Sequence, residues 1–310
     1  MIRYLTNEEI DKKKWDDCIK ESFNGLVYAY SWYLDIVAEG WEALVEDDYE
    51  RVFPLTGNKK MGINYLFQPP FTQQLGISSK GVLSENVVDS FINSIPAKFK
   101  FIEINLNSFN KVDAEKYSSK PWLTHLLDLI KPYESTFKSY STNLKRNIKK
   151  AEKSGISIMK NVKPDEIITL FRENRGKTIN NLKDKEYNKL RRLSYLGIYK
   201  GLVQTYGAFS TSNNLIAGAI FLKHKEKAIF LFSGNSDEGK ETAAMPLIID
   251  NFIKDNSQKN LTLDFEGSND PNLARFYKSF GSKEVTYPHL KINRFPGVMK
   301  LGVKIVKGLR

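Results

Sequence analysis

Cysteine is almost absent: Cys18 is the one thiol in 310 residues. No intramolecular disulfide can close and no thiolate metal cluster can be assembled from this chain alone, which points to a reducing, cytoplasmic setting. Histidine is nearly as scarce. His125, His224 and His289 are scattered, without metal-ligand spacing or a triad pattern, so zinc-enzyme and serine-hydrolase readings are poor and no metal is expected. Long apolar runs are missing too. The best of them, Leu215 to Leu222, is far shorter than the roughly 20 residues that span a bilayer, and its Ile, Ala and Phe content reads as a buried strand. No integral membrane segment is therefore expected. Met1 to Ile10 mixes Arg3, Glu8 and Glu9 with apolar residues and lacks a signal-peptide core, so no export is indicated.

What is present is globular material. Hydrophobic residues make up 41% of the chain, with 4 Trp, 15 Tyr and 19 Phe, which excludes a disordered polymer. The length suits two cores of about 150 residues each. A net charge of +11 and a pI near 9.3 imply attraction to an anion, such as a nucleic acid, a coenzyme phosphate, a lipid headgroup or a phosphorylated precursor. The same charge also serves solubility alone.

Two halves read in nearly the same order. Asn7 to Glu21 and Tyr30 to Glu39 have helical apolar spacing, Trp41 to Glu46, Arg51 to Leu55 and Ile63 to Phe67 form a meander, Ser84 to Ile95 is a helix and Phe99 to Leu106 a strand. Then Pro164 to Arg175 and Glu186 to Lys200 predict helices, and Leu202 to Ser210, Leu215 to Lys223 and Lys227 to Ser233 predict strands. Thr242 to Lys254 follows as a helix, Leu261 to Phe265 as a strand, Asn272 to Phe280 as a helix and Lys283 to Ile292 as a strand. The expected class is α/β (α+β), with domains over 1–130 and 156–295, a basic helix over 131–155 joining them and a basic tail over 296–310. Each domain is expected to hold a mixed, mostly antiparallel sheet flanked by helices.

The run Asn272-Leu273-Ala274-Arg275-Phe276-Tyr277-Lys278-Ser279-Phe280-Gly281 resembles the asparagine, alanine, aromatic-tyrosine and glycine pattern near the end of GNAT acetyltransferases. Its Phe280-Gly281 order looks more like FemAB-like proteins. Tyr140 to Gly155 is similar to the basic segment joining the two GNAT-like halves of that family. Ala217-Gly218 in a strand and the stretch Asp264 to Ser268 complete the likeness over the second half. The resemblance implies tandem GNAT-like domains that pass an acyl or aminoacyl group, from coenzyme A or from tRNA, to an amine-bearing acceptor.

The donor loop that the resemblance marks is Ser233 to Ala244, where Gly234, Asn235, Gly239, Lys240, Ala243 and Ala244 are the candidate cofactor-binding residues for an acyl-CoA. Backbone N–H groups and Lys240 would attract its phosphates, while Asp237, Glu238 and Glu241 would oppose them. Acyl transfer to an amine also needs a base and a proton for the leaving group. Asp264 and Glu266, two apart in an expected strand, share a face, where repulsion raises one of the two pKa values. Tyr277 would protonate the departing oxygen or thiolate. The bland readings are two solvated carboxylates and a half-buried tyrosine.

On the basic helix, Leu144, Ile148 and Ala151 form an apolar stripe, and Lys145, Arg146, Lys149 and Lys150 offer charge to tRNA or to a phosphorylated precursor. A solvated face accounts for the same pattern. Gln68, Gln73 and Gln74, held near Pro69 and Pro70, make a candidate acceptor wall or an ordered loop. Lys300, Lys304, Lys307 and Arg310 suggest peripheral contact with an anionic membrane, against docking on the protein itself or disorder, which Gly297, Gly302 and Gly308 favour by weakening the helix. A non-catalytic anion- or RNA-binding module that keeps the fold is the alternative function.

Overall fold

Amphipathic segments cut by turn residues set the order of elements. The structure, a computed structural model, describes residues 1–179, 182–267 and 269–295. The expected tail contacts from Lys300 to Arg310 lie outside the described residues. The chain divides into two units, one of Met1–Trp122 with the residues from Thr286 onward, the other of Leu123–Val285.

The first unit runs β1 (Ile2–Leu5), α1 (Lys12–Glu21), α2 (Ser31–Val37), β2 (Glu42–Glu46), β3 (Arg51–Leu55), β4 (Gly57–Lys60), β5 (Ile63–Phe67), β6 (Ser78–Ser79), α3 (Glu85–Asn93), β7 (Phe99–Asn105) and α4 (Ala114–Tyr117). The helix expected over Asn7 to Glu21 is broken. A 3-10 turn spans Asn7–Glu9, and α1 restarts after Asp11, whose carboxylate accepts from the Lys13 and Lys14 N–H groups at 3.0 and 3.1 Å. A cap of this kind contributes about 1 kcal/mol, enough to reset the helix there. β1, β2, β3 and β6 pair antiparallel in a four-stranded sheet. In the second layer β4 pairs with β5, and β5 runs parallel to β7 after crossing over through α3. Leu66, Phe91, Ile102 and Ile104 lie in the apolar core beneath it.

The second unit follows with β8 (Lys120–Asp128), α5 (Tyr133–Ser139), α6 (Thr142–Lys153), β9 (Ser157–Lys160), α7 (Pro164–Glu173), α8 (Asp184–Tyr199), β10 (Val203–Phe209), β11 (Leu215–His224) and β12 (Lys227–Asn235). Then come α9 (Asp237–Glu241), α10 (Ala244–Asn256), β13 (Thr262–Asp264), α11 (Pro271–Lys278) and β14 (Lys283–Asn293). The strands of this unit run in the order β8-β13-β12-β11-β10-β9, and among the described residues β12 with β13, joined through α10, is the one parallel pair of these. Each unit thus repeats a strand, helix, parallel strand passage, which is the physical content of the repeat read from the sequence. In each unit one antiparallel pairing joins strands far apart in the sequence. β14 pairs with β7 in the first unit, and β8 with β13 in the second.

β11 is buried on both faces, as its apolar run predicts, with α10 on one side and α7 on the other. Small residues set how near α7 comes. Gly218 and Gly234 stand opposite each other in the β11–β12 ladder. A Cβ on Gly234 would lie 2.6 Å from the Ile167 carbonyl oxygen and 2.9 Å from the Phe171 amide nitrogen. Both are backbone atoms, so α7 itself would have to move. Gly234→Ala is expected to destabilise the protein by about 1–3 kcal/mol, read as a lower urea midpoint at unchanged slope.

Candidate functional site

The site is built around the place where β12 leaves β13. Register pairs join Lys227, Ala228 and Ile229 to Thr262, Leu263 and Asp264, and there the pairing ends, although β12 continues to Asn235. Two local events end it. β12 carries an extra residue, Leu231, against β11, since Phe221 faces Phe230 while Ile220 faces Phe232; such a bulge bends a strand and re-aims it. β13 also stops, because Glu266 takes a left-handed φ of 53° and its N–H turns back to the Asp264 carboxylate at 2.9 Å. Beyond Ile229, β12 pairs with no strand on that side among the described residues. Asn235, its last residue, has a buried Oδ1 without a hydrogen-bond partner.

Tyr277 of α11 reaches this region from below. Its ring stacks on Phe265 at 4.9 Å between centroids and meets Phe230 edge-on at 6.3 Å. Only 5% of the residue is exposed. Burial, followed by the fields of Glu266, Asp264 and Asp270, pushes the phenol above its usual value, so the hydroxyl stays protonated. As a protonated group it can donate a proton; it is no base.

The two carboxylates do not share a face. Leu263 and Phe265 enter the same core as Tyr277, so Asp264 points to the other side of the sheet, where the Thr124 hydroxyl donates to it. Burial raises the Asp264 pKa against the hydrogen bonds from Thr124 and Glu266 that lower it. The expected Asp264–Glu266 pair on one strand face is therefore corrected: the strand ends between them, and the Glu266 backbone serves as a cap for Asp264.

His125 of β8 is a neighbour of Tyr277 that the sequence did not single out. Its ring lies 6.4 Å from that of Tyr277, and both ring nitrogens are buried without hydrogen-bond partners. Burial holds its pKa below the usual imidazole value, which keeps it neutral. Nothing in the spacing of three scattered histidines could have pointed to it.

The expected donor loop is mostly helical. After Asn235, Ser236 caps α9 by accepting from the Gly239 N–H at 3.0 Å, and Ala243, with φ of 59°, starts α10 without a side-chain cap. Gly239 is required by packing, since a Cβ there would lie 2.3 Å from both the Asn235 Oδ1 and the Ile216 carbonyl oxygen. Lys240 is bound to Asp237 at 2.7 Å. Glu238 and Glu241 remain beside it, so the loop offers backbone N–H groups at Ala244 and Met245 within an acidic setting.

Lys145, Arg146, Lys149 and Lys150 stand on α6, whose Leu144, Ile148 and Ala151 are buried in the second unit's core. The Lys145 ammonium donates to the Lys138 carbonyl at 2.9 Å, while Arg146, Lys149 and Lys150 are exposed. Between the start of α6 and α11 runs a groove of 550 Å³, lined by Asn143, Asn147, Asn272, Arg275, Phe276 and Lys278 among others. Gln68, Gln73 and Gln74 sit apart in the first unit, and their amides are used internally. Gln68 Nε2 donates to the Thr72 carbonyl, Gln68 Oε1 accepts from the Asn105 N–H, and Gln74 bridges Gln73 and the Ser108 N–H.

No protein-family model matches the chain, and no curated protein is significantly similar to it in sequence. Solved structures do match. FemX superposes with a TM-score of 0.66 at 11% identity over 94% of this chain and 98% of its own. The chain has a tandem GNAT fold. A tandem GNAT protein from the clavulanic acid biosynthesis pathway gives a TM-score of 0.54 at 10% identity, covering 96% of this chain and 100% of that one. L-PGS from Bacillus licheniformis gives 0.55 at 9% identity, with 96% of each chain covered. The tandem GNAT fold thus extends over the first half as well, where the sequence showed only element order. Among the described residues, no cluster of His, Cys, Asp and Glu could hold a metal, and no helix is long and apolar enough to cross a membrane.

The Asp264 carboxyl gives a test of the geometry. Its folded pKa is raised, so the folded state holds the proton more tightly and the stability it confers is lost as pH rises through that value. Asp264→Asn, which keeps an acceptor for Thr124 and Glu266, is expected to be at least as stable as the parent at neutral pH and to flatten that decline. Asp264→Ala, which leaves both donors unpaired, is expected to lose about 1–3 kcal/mol at any pH. Urea unfolding from pH 4 to 8 reads both.

Proposed function

We propose that the chain is an acyltransferase that moves an aminoacyl group from its ester on tRNA to a primary amine. The observation that carries the reading is the free edge of β12 beyond Ile229, which begins beside the buried phenol of Tyr277. An unpaired strand edge offers N–H and C=O groups to an extended, amide-bearing donor, and it holds the donor as a further strand would be held.

The choice of tRNA over coenzyme A rests on two features. The loop at the start of α10 is acidic, with its lysine already paired, and is poorly suited to a pyrophosphate. The exposed cations of α6, beside a groove that adds Arg275 and Lys278, suit a phosphodiester backbone. The chemistry of the acid agrees. A phenol held above its usual value is a poor match for a thiolate, with an ordinary pKa of about 8.5, and a better one for the far more basic alkoxide of ribose. In the proposed step the amine nitrogen attacks the ester carbonyl, the carbon–oxygen bond to ribose breaks, and Tyr277 supplies the proton to the leaving oxygen. Glu266, partly exposed and near enough for its charge to act on Tyr277, is the candidate base for the amine proton.

Coenzyme A remains the second donor, because the backbone N–H groups at the start of α10 are uncapped. Purified protein given aminoacyl-tRNA or acetyl-coenzyme A in separate arms, with peptides, amino sugars and aminolipids as acceptors, is expected to form product with the tRNA by mass spectrometry. Product with the coenzyme alone would overturn the donor assignment, and RNA binding without product from either would make the chain a binding module. Tyr277→Phe is expected to lower kcat by about 100-fold or more with the unfolding midpoint unchanged. Lys149→Glu combined with Lys150→Glu is expected to weaken tRNA binding and to reduce its salt slope by about 2.

A further inference from the structure

The groove between the start of α6 and α11 offers more than charge. It measures 550 Å³, within the roughly 300–1,000 Å³ of small-ligand sites. None of the described residues that line it is acidic. Its two walls are fixed to each other and to the core. The Ser141 N–H donates to the Ser279 carbonyl at 2.9 Å, which ties the N-cap of α6 to the C-cap of α11. Leu144 and Phe276 root the two helices in the apolar core of the second unit.

Three kinds of group converge there. Amides are the first. Asn143 Oδ1 accepts from Arg146 Nη2 and Asn272 Oδ1 from Arg275 Nη2, both at 3.3 Å, so each amide keeps its N–H groups for the groove. Asn147 makes no side-chain hydrogen bond among the described residues and keeps a donor and an acceptor side by side. An aromatic ring is the second. The half-buried Phe276 meets Phe280 at 5.4 Å and Tyr277 at 5.7 Å between centroids, and it still lines the groove. Positive charge is the third. Arg275 and Lys278 stand one turn apart on α11, and the N–H of Asn143, in the first turn of α6, has no partner within its helix. Lys278 has Glu284 at 3.6 Å, but this is an exposed pair that water screens.

A duplex hides the faces of its bases by stacking them, so it leaves the Phe276 ring unused. An unpaired base offers a flat face to an aromatic ring and a hydrogen-bonding edge to an amide, while its phosphate calls for donors and positive charge. A neutral sugar would use the ring and the amides and leave the two cations idle. We propose that this groove receives one unpaired nucleotide of a single-stranded RNA segment, with the base against Phe276 and Asn147 and the phosphate at Arg275 and Lys278. Assigning that segment to the acyl donor rests on the function proposed above; the preference for an unpaired strand rests on the groove alone.

Three labelled RNA hairpins that share one stem test this by fluorescence anisotropy. One is blunt, one has a short single-stranded 3′ extension, and one has the same extension made abasic. The two extensions carry equal numbers of phosphates, so counterion release affects them alike. The extension with bases is expected to bind about 10-fold more tightly than the abasic one, at low and at high salt. Phe276→Leu is expected to remove most of that factor, and Asn147→Ala, at a half-buried position of α6, to reduce it severalfold. If Phe276→Leu does not fold, Asn147→Ala decides alone. Lys149→Glu combined with Lys150→Glu is expected to weaken all three RNAs and to leave the factor in place. Equal binding of the two extensions, or a factor that survives intact in Asn147→Ala, would overturn the proposal. Displacement of the extended hairpin by a neutral oligosaccharide would mark a sugar site and overturn it as well. Base-dependent binding without transfer from any donor would keep the groove and remove the enzyme. Transfer from aminoacyl-tRNA with no base dependence would do the reverse.

Discussion

The second unit depends on a parallel pair of strands that share only three register positions. β12 and β13 are held together from Lys227 to Ile229 and are then driven apart by the bulge at Leu231 and by the reversal at Glu266. A strand edge inside a sheet is normally satisfied by its neighbour, and the cost of leaving it open is high unless a ligand or water takes its place. The surroundings are built to keep the gap from closing. Phe265 and Tyr277 stack beneath it, and Gly218 and Gly234 allow α7 to clamp the other side of β12. Rigid packing on both sides of an unpaired edge supports the proposed donor site.

Charge is distributed unevenly around this opening. The start of α10 has uncapped N–H groups but acidic neighbours, whereas α6 has exposed cations and buries its apolar stripe in the same core. The apolar stripe makes α6 a structural member of the second unit, so its basic face is positioned by the fold. The groove beside α11 extends that face through Arg275 and Lys278.

Much of this was legible in the amino-acid order. The spacing of Leu144, Ile148 and Ala151 and the run from Leu215 to Leu222 gave α6 and β11, since a continuous apolar stripe has few places to go. The repeat of strand, helix and strand also showed. β8 did not, because Lys120, Pro121 and His125 interrupt its apolar pattern and its burial is supplied by β13 from far along the chain. Local turn chemistry was the other blind spot. Reading Asp264 and Glu266 as a pair assumed an unbroken strand, and a carboxylate that accepts the N–H two residues on is a competing solution that periodicity does not reveal. Gln68, Gln73 and Gln74 were visible as unusual, but only the folded chain shows the Gln68 and Gln74 side chains accepting from the Asn105 and Ser108 N–H groups, with the Gln73 backbone carbonyl accepting from the Asn105 side chain.

The chain path has a consequence for biosynthesis. β7 takes its antiparallel partner from β14, whose residues His289 to Asn293 are among the last described. The partner of β13 is β8, made long before it. During synthesis the first unit must therefore wait, with one flank of β7 uncovered, until β14 has left the ribosome, whereas the second unit can close as soon as its own strands emerge. Contacts so widely separated in sequence slow folding. The order of maturation is thus reversed with respect to the order of translation, and the nascent chain is most in need of protection at the half that appears first.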